Sequence, residues 1–405
     1  MNKPELLAPA GSLTKLKYAV TYGADAVYIG GECFSLREAA ENFSIEEIKE
    51  GIEFAHSRGK KVYITANIIP HNSDLEGFEE YVLTVYNMNA DAIIISDPGL
   101  LAITKRVAPN LEIHMSTQAN NVNFESANFW YSQGVKRVIL ARELSLDEIS
   151  EIRKKTPPEL EIECFVHGAM CISYSGRCLL SNYMTARDSN LGACSHPCRW
   201  KYYLMEEKRP GEYMPVFENE RGTFIYNSKD LCMIEHIPDL IEAGITSFKI
   251  EGRVKSEYYV STVVKAYRDA VDNYFDGRNF DKKLSEELCK VSHREYTTGF
   301  FFGKPTGNEQ IYTTSSYVRD YDLVGVVESY DKINKMLNVS QRNKFFVGDE
   351  VELFKPTGSY DTIKVQNMYD EKGNEIDSCP HSMMKIKIPC DIECPGMTFI
   401  RKKKV

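Results

Sequence analysis

Long hydrophobic runs are missing from this chain of 405 residues, and no stretch approaches the roughly 18 apolar residues of a membrane-spanning helix. The first residues, MNKPELLAPAGS, lack the charged start, apolar run and cleavage site of a secretory signal peptide. We therefore expect a cytoplasmic protein that does not enter a membrane. Cytosolic thiols are kept reduced, and the 11 cysteines are an odd number, so we do not expect a disulfide framework.

Several catalytic signatures are absent as well. The chain has no Gly-x-Gly-x-x-Gly or phosphate-binding loop, no Gly-x-Ser-x-Gly nucleophile turn and no His-Glu-x-x-His zinc motif. These absences argue against a serine hydrolase and a zinc metalloprotease. A net charge of -9 argues against a general nucleic-acid coat, which would be basic, and we expect no DNA partner.

Cysteines, in contrast, are dense in one part of the chain. Four occur within 28 residues and a fifth follows a polar segment: Cys171, Cys178, Cys194, Cys198 and Cys232. Gly176 and Pro197 lie between them and indicate irregular backbone. Thiols grouped in this way are typical of a metal site. Iron–sulfur clusters take four thiolates at variable spacings, whereas structural zinc prefers closely spaced pairs, so the spacing favours iron–sulfur and leaves zinc open.

The first 270 residues alternate between short apolar runs and amphipathic helical patterns. Eight runs predict strands, at Glu5–Ala8, Ala24–Gly30, Lys61–Asn67, Asp91–Ser96, Glu112–Thr117, Arg137–Ala141, Glu161–Val166 and Ser247–Glu251. Eight strand–helix units over about 250 residues are the count of a (β/α)8, or TIM-like, barrel. We prefer this α/β fold to an open doubly wound sheet, and residues 168–248 then form a long excursion after strand seven.

The period of the apolar residues changes to two from Tyr321 to the end. Short strands separated by turns are typical of a small antiparallel β-barrel. We divide the chain into a TIM-like barrel domain at 1–303, which carries the cysteines, a linker at 304–320 and a small β-barrel domain at 321–405. Basic residues of the last strand and tail, including Arg401 and Lys402, are either phosphate contacts or a solvated charge run.

Polar residues at the carboxyl ends of barrel strands are candidates for a site, because TIM-barrel active sites lie there. The five that we select for catalysis or substrate binding are Arg142, Glu143, His167, Glu251 and Arg253. Arginine binds carboxylates through two parallel hydrogen bonds, so two of these residues suit an acidic ligand. The alternatives are rim ion pairs, Arg142 with Glu143 and Glu251 with Arg253, and a hydrogen-bonded structural role for His167.

One stretch resembles a known family. Glu163-x-Phe165-x2-Gly168-Ala169-Met170-Cys171-x4-Gly176-x-Cys178-x-Leu180-Ser181 is similar to the signature of peptidase family U32, the collagenase-like peptidases. The resemblance extends from LLAPAGS near the N-terminus through EGRVKS at 251–256 to REYTTGFFFG at 294–303. Better understood members look like oxygen-insertion proteins with a [4Fe-4S] cluster. They act on tRNA wobble uridine, on ribosomal RNA cytidine or on a quinone ring.

The length and the C-terminal domain are most similar to the branch that makes 5-hydroxyuridine in tRNA in a prephenate-dependent way. The resemblance implies four cluster ligands and one additional cofactor-binding candidate: Cys171, Cys178, Cys194 and Cys232, with Cys198 beside them. It further implies tRNA as substrate, prephenate as a candidate co-substrate and a second family member as a candidate partner. The alternatives are a peptidase, with Cys171 activated by His167, and a non-catalytic cluster carrier.

Overall fold

The computed structural model of the chain describes residues 2–31, 34–35, 42–170, 181, 185, 229–303 and 320–404, and also the backbone of four two-residue strands between 204 and 223. Four of the predicted cluster cysteines, Cys171, Cys178, Cys194 and Cys198, lie outside these residues, as do residues 304–319 of the predicted linker.

The first part of the chain alternates between strands and helices, as predicted. The strands are β1 Glu5–Pro9, β2 Ala26–Gly30, β3 Lys61–Ala66, β4 Ala92–Ile95, β5 Glu112–Met115, β6 Arg137–Ile139 and β7 Glu161–Ala169. The helices are α1 Leu13–Thr21, α2 Ile45–His56, α3 Phe78–Asn87, α4 Pro98–Val107, α5 Phe124–Ser132 and α6 Leu146–Lys154. Most of the helices begin at a side chain that caps a free backbone N–H: Ser12, Ser44, Asp97, Asn123 and Ser145.

The excursion and the end of the barrel follow. Four two-residue strands, which form two antiparallel pairs, come first: β8 Leu204–Met205, β9 Tyr213–Met214, β10 Glu218–Asn219 and β11 Gly222–Thr223. The remaining elements of this part are β12 Asp230–Cys232, α7 Ile237–Glu242, β13 Ser247–Ile250, α8 Glu257–Phe275, α9 Lys283–Leu288 and β14 Tyr296–Thr297. Within the described residues, none of the helices has both the length and the apolar character needed to cross a bilayer.

Eight parallel strands close into a barrel. β1 to β7 pair in sequence order, and β13 pairs in parallel with both β7 and β1, which completes the ring. The predicted (β/α)8 architecture is therefore confirmed. Two further strands extend its wall: β12 runs antiparallel to the end of β7, and β14 runs parallel to β12. This addition places the residues that follow the excursion beside the carboxyl end of β7.

The amino end of the barrel interior is filled by buried charges. Arg137 Nη1 lies 2.6 Å from Glu5 Oε1 and 2.9 Å from Glu163 Oε2, and Lys249 Nζ lies 2.7 Å from Glu163 Oε1. Burial alone would raise the pKa of Glu163, but Lys249 and Arg137 hold it at about 2. Since this network closes the amino end, a ligand has access to the interior from the carboxyl end, where TIM-barrel sites lie.

Seven antiparallel strands form the second domain: β15 Tyr321–Asp331, β16 Met336–Gln341, β17 Glu350–Phe354, β18 Asp361–Lys364, β19 Tyr369–Asp370, β20 Lys385–Pro389 and β21 Thr398–Lys403. Their order is β18-β17-β21-β15-β16-β20-β19, so β18 and β19 are the outer strands of a half-barrel. Leu337, Val339 and Phe345 contribute to its own core. The predicted small antiparallel β-domain is confirmed, and the sheet is open between its outer strands.

The second domain packs against the barrel through aromatic rings and buried charges. The ring of Tyr22, the residue that follows α1, stacks on Phe354 at a centroid distance of 5.5 Å, and its hydroxyl donates to Phe354 O at 3.0 Å. Arg401 is fully buried and lies 2.7 Å from both Glu287 of α9 and Glu352 of β17. The sequence-based expectation of a phosphate contact or a solvated charge at Arg401 is wrong, because this side chain joins the two domains.

Candidate functional site at the carboxyl end of the barrel

Arg253 is fixed at the carboxyl end of the barrel, after β13. Its Nη1 donates to Ser35 Oγ at 3.0 Å and to Thr65 Oγ1 at 3.1 Å, and the residue is 4% exposed. The absence of a side chain at Gly30 leaves room for the Arg253 guanidinium, because a Cβ at residue 30 would lie only 2.5 Å from Arg253 Nη2. The guanidinium is therefore held in one orientation by β2, β3 and the loop that carries Ser35.

Arg142 follows β6 and is the second arginine at this end. Its Cζ lies 3.9 Å from the centroid of the Phe165 ring, and its Nη1 donates to Ala169 O at 3.0 Å. The rim ion pair joins Arg142 Nη2 to Glu251 Oε2 at 3.7 Å, which is longer than a hydrogen bond. Arg142 Nε has no hydrogen-bond partner among the described residues. The guanidinium thus retains donors for a ligand carboxylate.

The neighbouring carboxylates differ in their surroundings. Glu251 is 8% exposed, and its backbone N–H donates to His167 O at 2.8 Å, which ties β13 to β7. Glu143 is half-buried, and burial raises the pKa of its carboxyl. The ion pair that the structure shows, Arg142 with Glu251, is neither of the two rim pairs considered from the sequence. A carboxyl group whose pKa is raised by burial is a candidate for proton transfer.

Amide and hydroxyl side chains follow β3 and β5. Asn67 Nδ2 donates to Ser116 Oγ at 3.3 Å, and Thr117 Oγ1 donates to Leu140 O at 3.2 Å. Gln118 is 9% exposed, and in the described part of the chain no donor reaches its Oε1. Together with the arginines they give this end both cationic and hydrogen-bonding groups.

A β-bulge changes the direction of β7 at His167. In the pairing with β13, Lys249 is opposite Phe165 while Ile250 is opposite His167, so β7 contains one extra residue. A bulge of this kind bends the strand and redirects the side chains that follow it. Phe165 stacks under Arg142 at the site, whereas His167 contacts rings of α8 and β14. The expectation that His167 lines the same site as Arg142 is therefore not what the structure shows.

The imidazole of His167 lies among three tyrosines. The ring centroids of Tyr259, Tyr267 and Tyr296 are 6.1, 5.5 and 5.4 Å away. The residue is 1% exposed, and neither ring nitrogen has a hydrogen-bond partner within the described residues. Burial lowers the pKa of His167 to about 3, so the ring is neutral at pH 7. The structure shows a buried histidine without the hydrogen bonds expected of a structural one.

Cys232 is the predicted cluster ligand that falls within the described residues. It is the direct cross-strand partner of His167 in the β7–β12 pair, so the two side chains share one face. Tyr267 Oη lies 3.9 Å from Cys232 Sγ. Burial raises the pKa of this thiol to about 12, so it forms a thiolate only when a positive charge such as a metal ion stabilises it. No three histidine, cysteine, aspartate or glutamate side chains of the described ranges converge as a metal site.

The fold and this site define a (β/α)8-barrel protein with two arginines at its carboxyl end, a cysteine beside β7 and an attached antiparallel half-barrel. Comparison with known protein families then identifies it further. The model described as peptidase family U32 matches residues 11–311, and the model of the peptidase family U32 C-terminal domain matches residues 319–401. The chain belongs to peptidase family U32.

Three similar relatives cover almost the whole chain. tRNA hydroxylation protein P1 of Bacillus subtilis is 47% identical over 406 residues, which is 100% of this chain and 96% of the relative. tRNA hydroxylation protein P of Escherichia coli is 40% identical and covers 97% of this chain and 95% of its own. A protein of Methanocaldococcus jannaschii named as an uncharacterized protease is 41% identical, with 92% of each chain covered.

Proposed function

We propose that this protein hydroxylates RNA, and that it converts the wobble uridine of tRNA to 5-hydroxyuridine in a prephenate-dependent reaction. The observation that carries the proposal is similarity from end to end, 47% and 40% identity over both domains, to two proteins named for tRNA hydroxylation. The proposed cofactor is a [4Fe-4S] cluster held by Cys171, Cys178, Cys194 and Cys232, with Cys198 as the substitute for one of the later ligands.

The described residues fit a cluster ligand at Cys232. It is a free, partly buried thiol on β12, which pairs with the carboxyl end of β7. Asp230, two residues before it, pairs with Ala169, and Cys171 follows Ala169 by two residues in the sequence. Two peptide units span at most about 7.6 Å, so covalent geometry is compatible with both cysteines binding one cluster. When bound, an iron–sulfur cluster would supply redox chemistry that protein side chains lack.

The two arginines at the carboxyl end suit the proposed co-substrate. Exchange of C5–H for C5–OH is a two-electron oxidation of the base, so the reaction also needs an oxygen donor and an electron acceptor. Prephenate is the proposed co-substrate, and it carries two carboxylates. Arg253 and Arg142 are already held in place by hydroxyls and by the Phe165 ring, so binding costs little side-chain entropy. Glu143 would accept the proton, since its pKa is raised.

Peptidase activity is the alternative, because one relative is named a protease. In that scheme His167 would have to activate the Cys171 thiol as a general base. The imidazole is enclosed by three tyrosine rings and has a pKa of about 3, so it binds a proton too weakly for this role at neutral pH. These observations favour RNA hydroxylation over proteolysis.

The test uses protein purified without oxygen, together with tRNA that lacks wobble-uridine modification. We expect a brown protein that contains iron and forms 5-hydroxyuridine when prephenate is added, detected by nucleoside mass spectrometry. Cys232→Ala should lose both iron and product, while Cys289→Ala, which changes an exposed thiol, should keep both. Iron retained after Cys171→Ala and Cys178→Ala together would contradict the proposed cluster. Iron-loaded protein that yields no 5-hydroxyuridine would contradict the proposed reaction.

A second experiment addresses the co-substrate site. Arg142→Gln keeps a hydrogen-bond donor but removes the charge, so the KM for prephenate should rise at least about tenfold, as expected for a lost charge-assisted pair. The KM for tRNA should stay within about twofold. Arg106→Gln changes an exposed arginine of α4 and is the matched control. Equal KM values for prephenate in both variants would contradict this assignment.

A further inference from the structure

We propose that His167 donates a hydrogen bond to sulfur at the Cys232 side of the cluster and thereby raises the cluster's reduction potential, with Tyr267 as the positioning residue. The inference rests on the proposed function, since it needs the cluster. It goes beyond that function by assigning a redox role to a side chain that makes no contact with the proposed base or co-substrate. His167 therefore does not belong to the candidate site at the carboxyl end of the barrel and has a different role.

The first observation is the cost of the histidine itself. A fully buried imidazole that makes no hydrogen bond is disfavoured, and an apolar ring would fill the space between Tyr259, Tyr267 and Tyr296 without this penalty. Within the part of the chain that the structure describes, no acceptor is available for its N–H. The neutral ring has one N–H in either tautomer, so it needs an acceptor on the same face of the strand.

The second observation is what shares that face. Cys232 is directly opposite His167 in the antiparallel β7–β12 pair, and such partners have Cβ atoms about 4.5–5.5 Å apart. The bulge in β7 determines which way the His167 side chain points. Phe165 faces the barrel interior, whereas His167 lies on the face that carries the Cys232 thiol. An imidazole N–H can therefore reach a thiolate at Cys232, or a sulfide bound beside it, without rebuilding the backbone.

Tyr267 holds the two strands at this point. Its hydroxyl donates to Val166 O of β7 at 2.7 Å and accepts from Met233 N, next to β12, at 2.9 Å. The same oxygen lies 3.9 Å from Cys232 Sγ. Because the Tyr267 hydroxyl donates its proton to the Val166 carbonyl, it is not a strong donor to the Cys232 sulfur. Its role is to fix the distance between His167 and Cys232.

Hydrogen bonds to sulfur tune iron–sulfur potentials in a known direction. A donor stabilises the more negative, reduced cluster more than the oxidised one, so it raises the potential. Removal of the His167 N–H should therefore make the cluster harder to reduce. Removal of the Tyr267 hydroxyl should act in the same direction but more weakly, through the loosened strand pair.

The experiment measures the midpoint potential of the bound cluster in anaerobic protein by an optical and paramagnetic-resonance titration. His167→Phe keeps a ring among the tyrosines and removes the donor, and we expect the ratio of oxidised to reduced cluster at fixed potential to rise at least tenfold, about 59 mV for one electron. His167→Gln restores an N–H and should recover part of the shift. His114→Phe, a buried histidine at the other end of the barrel, is the matched control and should leave the potential unchanged.

The outcomes separate this inference from the function on which it rests. Iron-loaded His167→Phe with the wild-type potential would overturn the inference and leave the proposed function intact. Wild-type protein that binds no iron would overturn both. Loss of iron from His167→Phe but not from His167→Gln would support a donor toward the cluster. Loss of iron from both variants, with unchanged thermal unfolding of the metal-free protein, would show that an N–H at residue 167 does not act on the cluster. This result would overturn the inference.

Discussion

Arg137→Met is expected to be strongly destabilising, because it removes the cation at the centre of the buried network at the amino end of the barrel. The side chain of Arg137 is 3% exposed and that of Glu163 is 0% exposed, so water cannot replace the lost contacts. The substitution leaves Glu163 with Lys249 at 2.7 Å and leaves Glu5 with the Tyr63 hydroxyl at 2.6 Å. Both carboxylates therefore lose a partner but keep another.

The magnitude follows from these remaining contacts. Removal of one partner from a buried ion pair typically costs about 3–5 kcal/mol, and the contacts that remain argue for the lower end, about 3 kcal/mol. A barrel of about 300 residues has an unfolding entropy of roughly 0.6 kcal/mol/K, so this loss lowers the midpoint of thermal unfolding by about 5 °C. The surface variant Arg106→Met breaks an exposed pair with Glu79 and should cost less than about 1 kcal/mol.

The assay is thermal unfolding of both variants followed by circular dichroism at pH 7. We expect a lower midpoint for Arg137→Met and a change of under about 2 °C for Arg106→Met. If the two variants unfold within one degree of each other, the network contributes no more than a surface pair. In that case the account of the closed amino end is wrong.

Three further predictions address acid stability, a close backbone approach and the domain interface. The pKa of Glu163 is about 2 in the folded protein, below its unfolded value of about 4.3, so its stabilising effect is present above about pH 4.3 and is lost as the pH falls toward 2. Acid unfolding of Glu163→Gln should therefore depend less on pH across this window, and an unchanged slope would contradict the assignment. Gly168→Ala should be much less stable in urea than Gly277→Ala. Both have positive φ, but only at Gly168 would a Cβ lie 2.6 Å from a carbonyl, that of Glu251; equal midpoints would contradict this. Arg401→Met should separate the domains' calorimetric transitions, since the side chain bridges both domains, whereas one unchanged transition would show that the aromatic contacts suffice.

The alternation of the barrel was predictable because most of its strands are short apolar runs that are followed by a helical pattern. β4 is the simplest case: AIII is buried throughout, as expected for a parallel strand covered by helices, and the prediction over Asp91–Ser96 contains it. Local side-chain bonds changed boundaries that periodicity could not reveal. Helix α3 begins only at Phe78, because Asp74 accepts a hydrogen bond from His71 N and belongs to a separate short turn.

The site was predictable in its position but not in its contacts. Arg142 and Arg253 lie at the carboxyl end, as the barrel rule predicts. Their partners come from distant strands, and no local pattern shows that Arg142 is beside Glu251 or that Arg253 binds Ser35 and Thr65. The buried charges were missed for the same reason. Glu161 and Glu163 at alternate positions of β7 were consistent with an exposed face, whereas the structure buries Glu163 in the barrel interior.

The bulge that separates His167 from Phe165 also has no signal in a single sequence, because it depends on the register between β7 and β13. Alternation from Glu163 through Phe165 predicts that His167 points inward. One extra residue in the ladder reverses that direction. The assignment of the cluster ligands remains a prediction for all five cysteines: Cys171, Cys178, Cys194, Cys198 and Cys232. The structure describes the surroundings of Cys232, which is opposite His167 in the β7–β12 pair.

The central claim is that this chain hydroxylates tRNA, and it is tested most directly by mass spectrometry of tRNA nucleosides from cells with and without its gene. The account predicts that 5-hydroxyuridine derivatives at the wobble position disappear with the gene and return with the wild-type chain but not with Cys232→Ala. Unchanged amounts of these nucleosides, in cells that have no second protein of this kind, would contradict it.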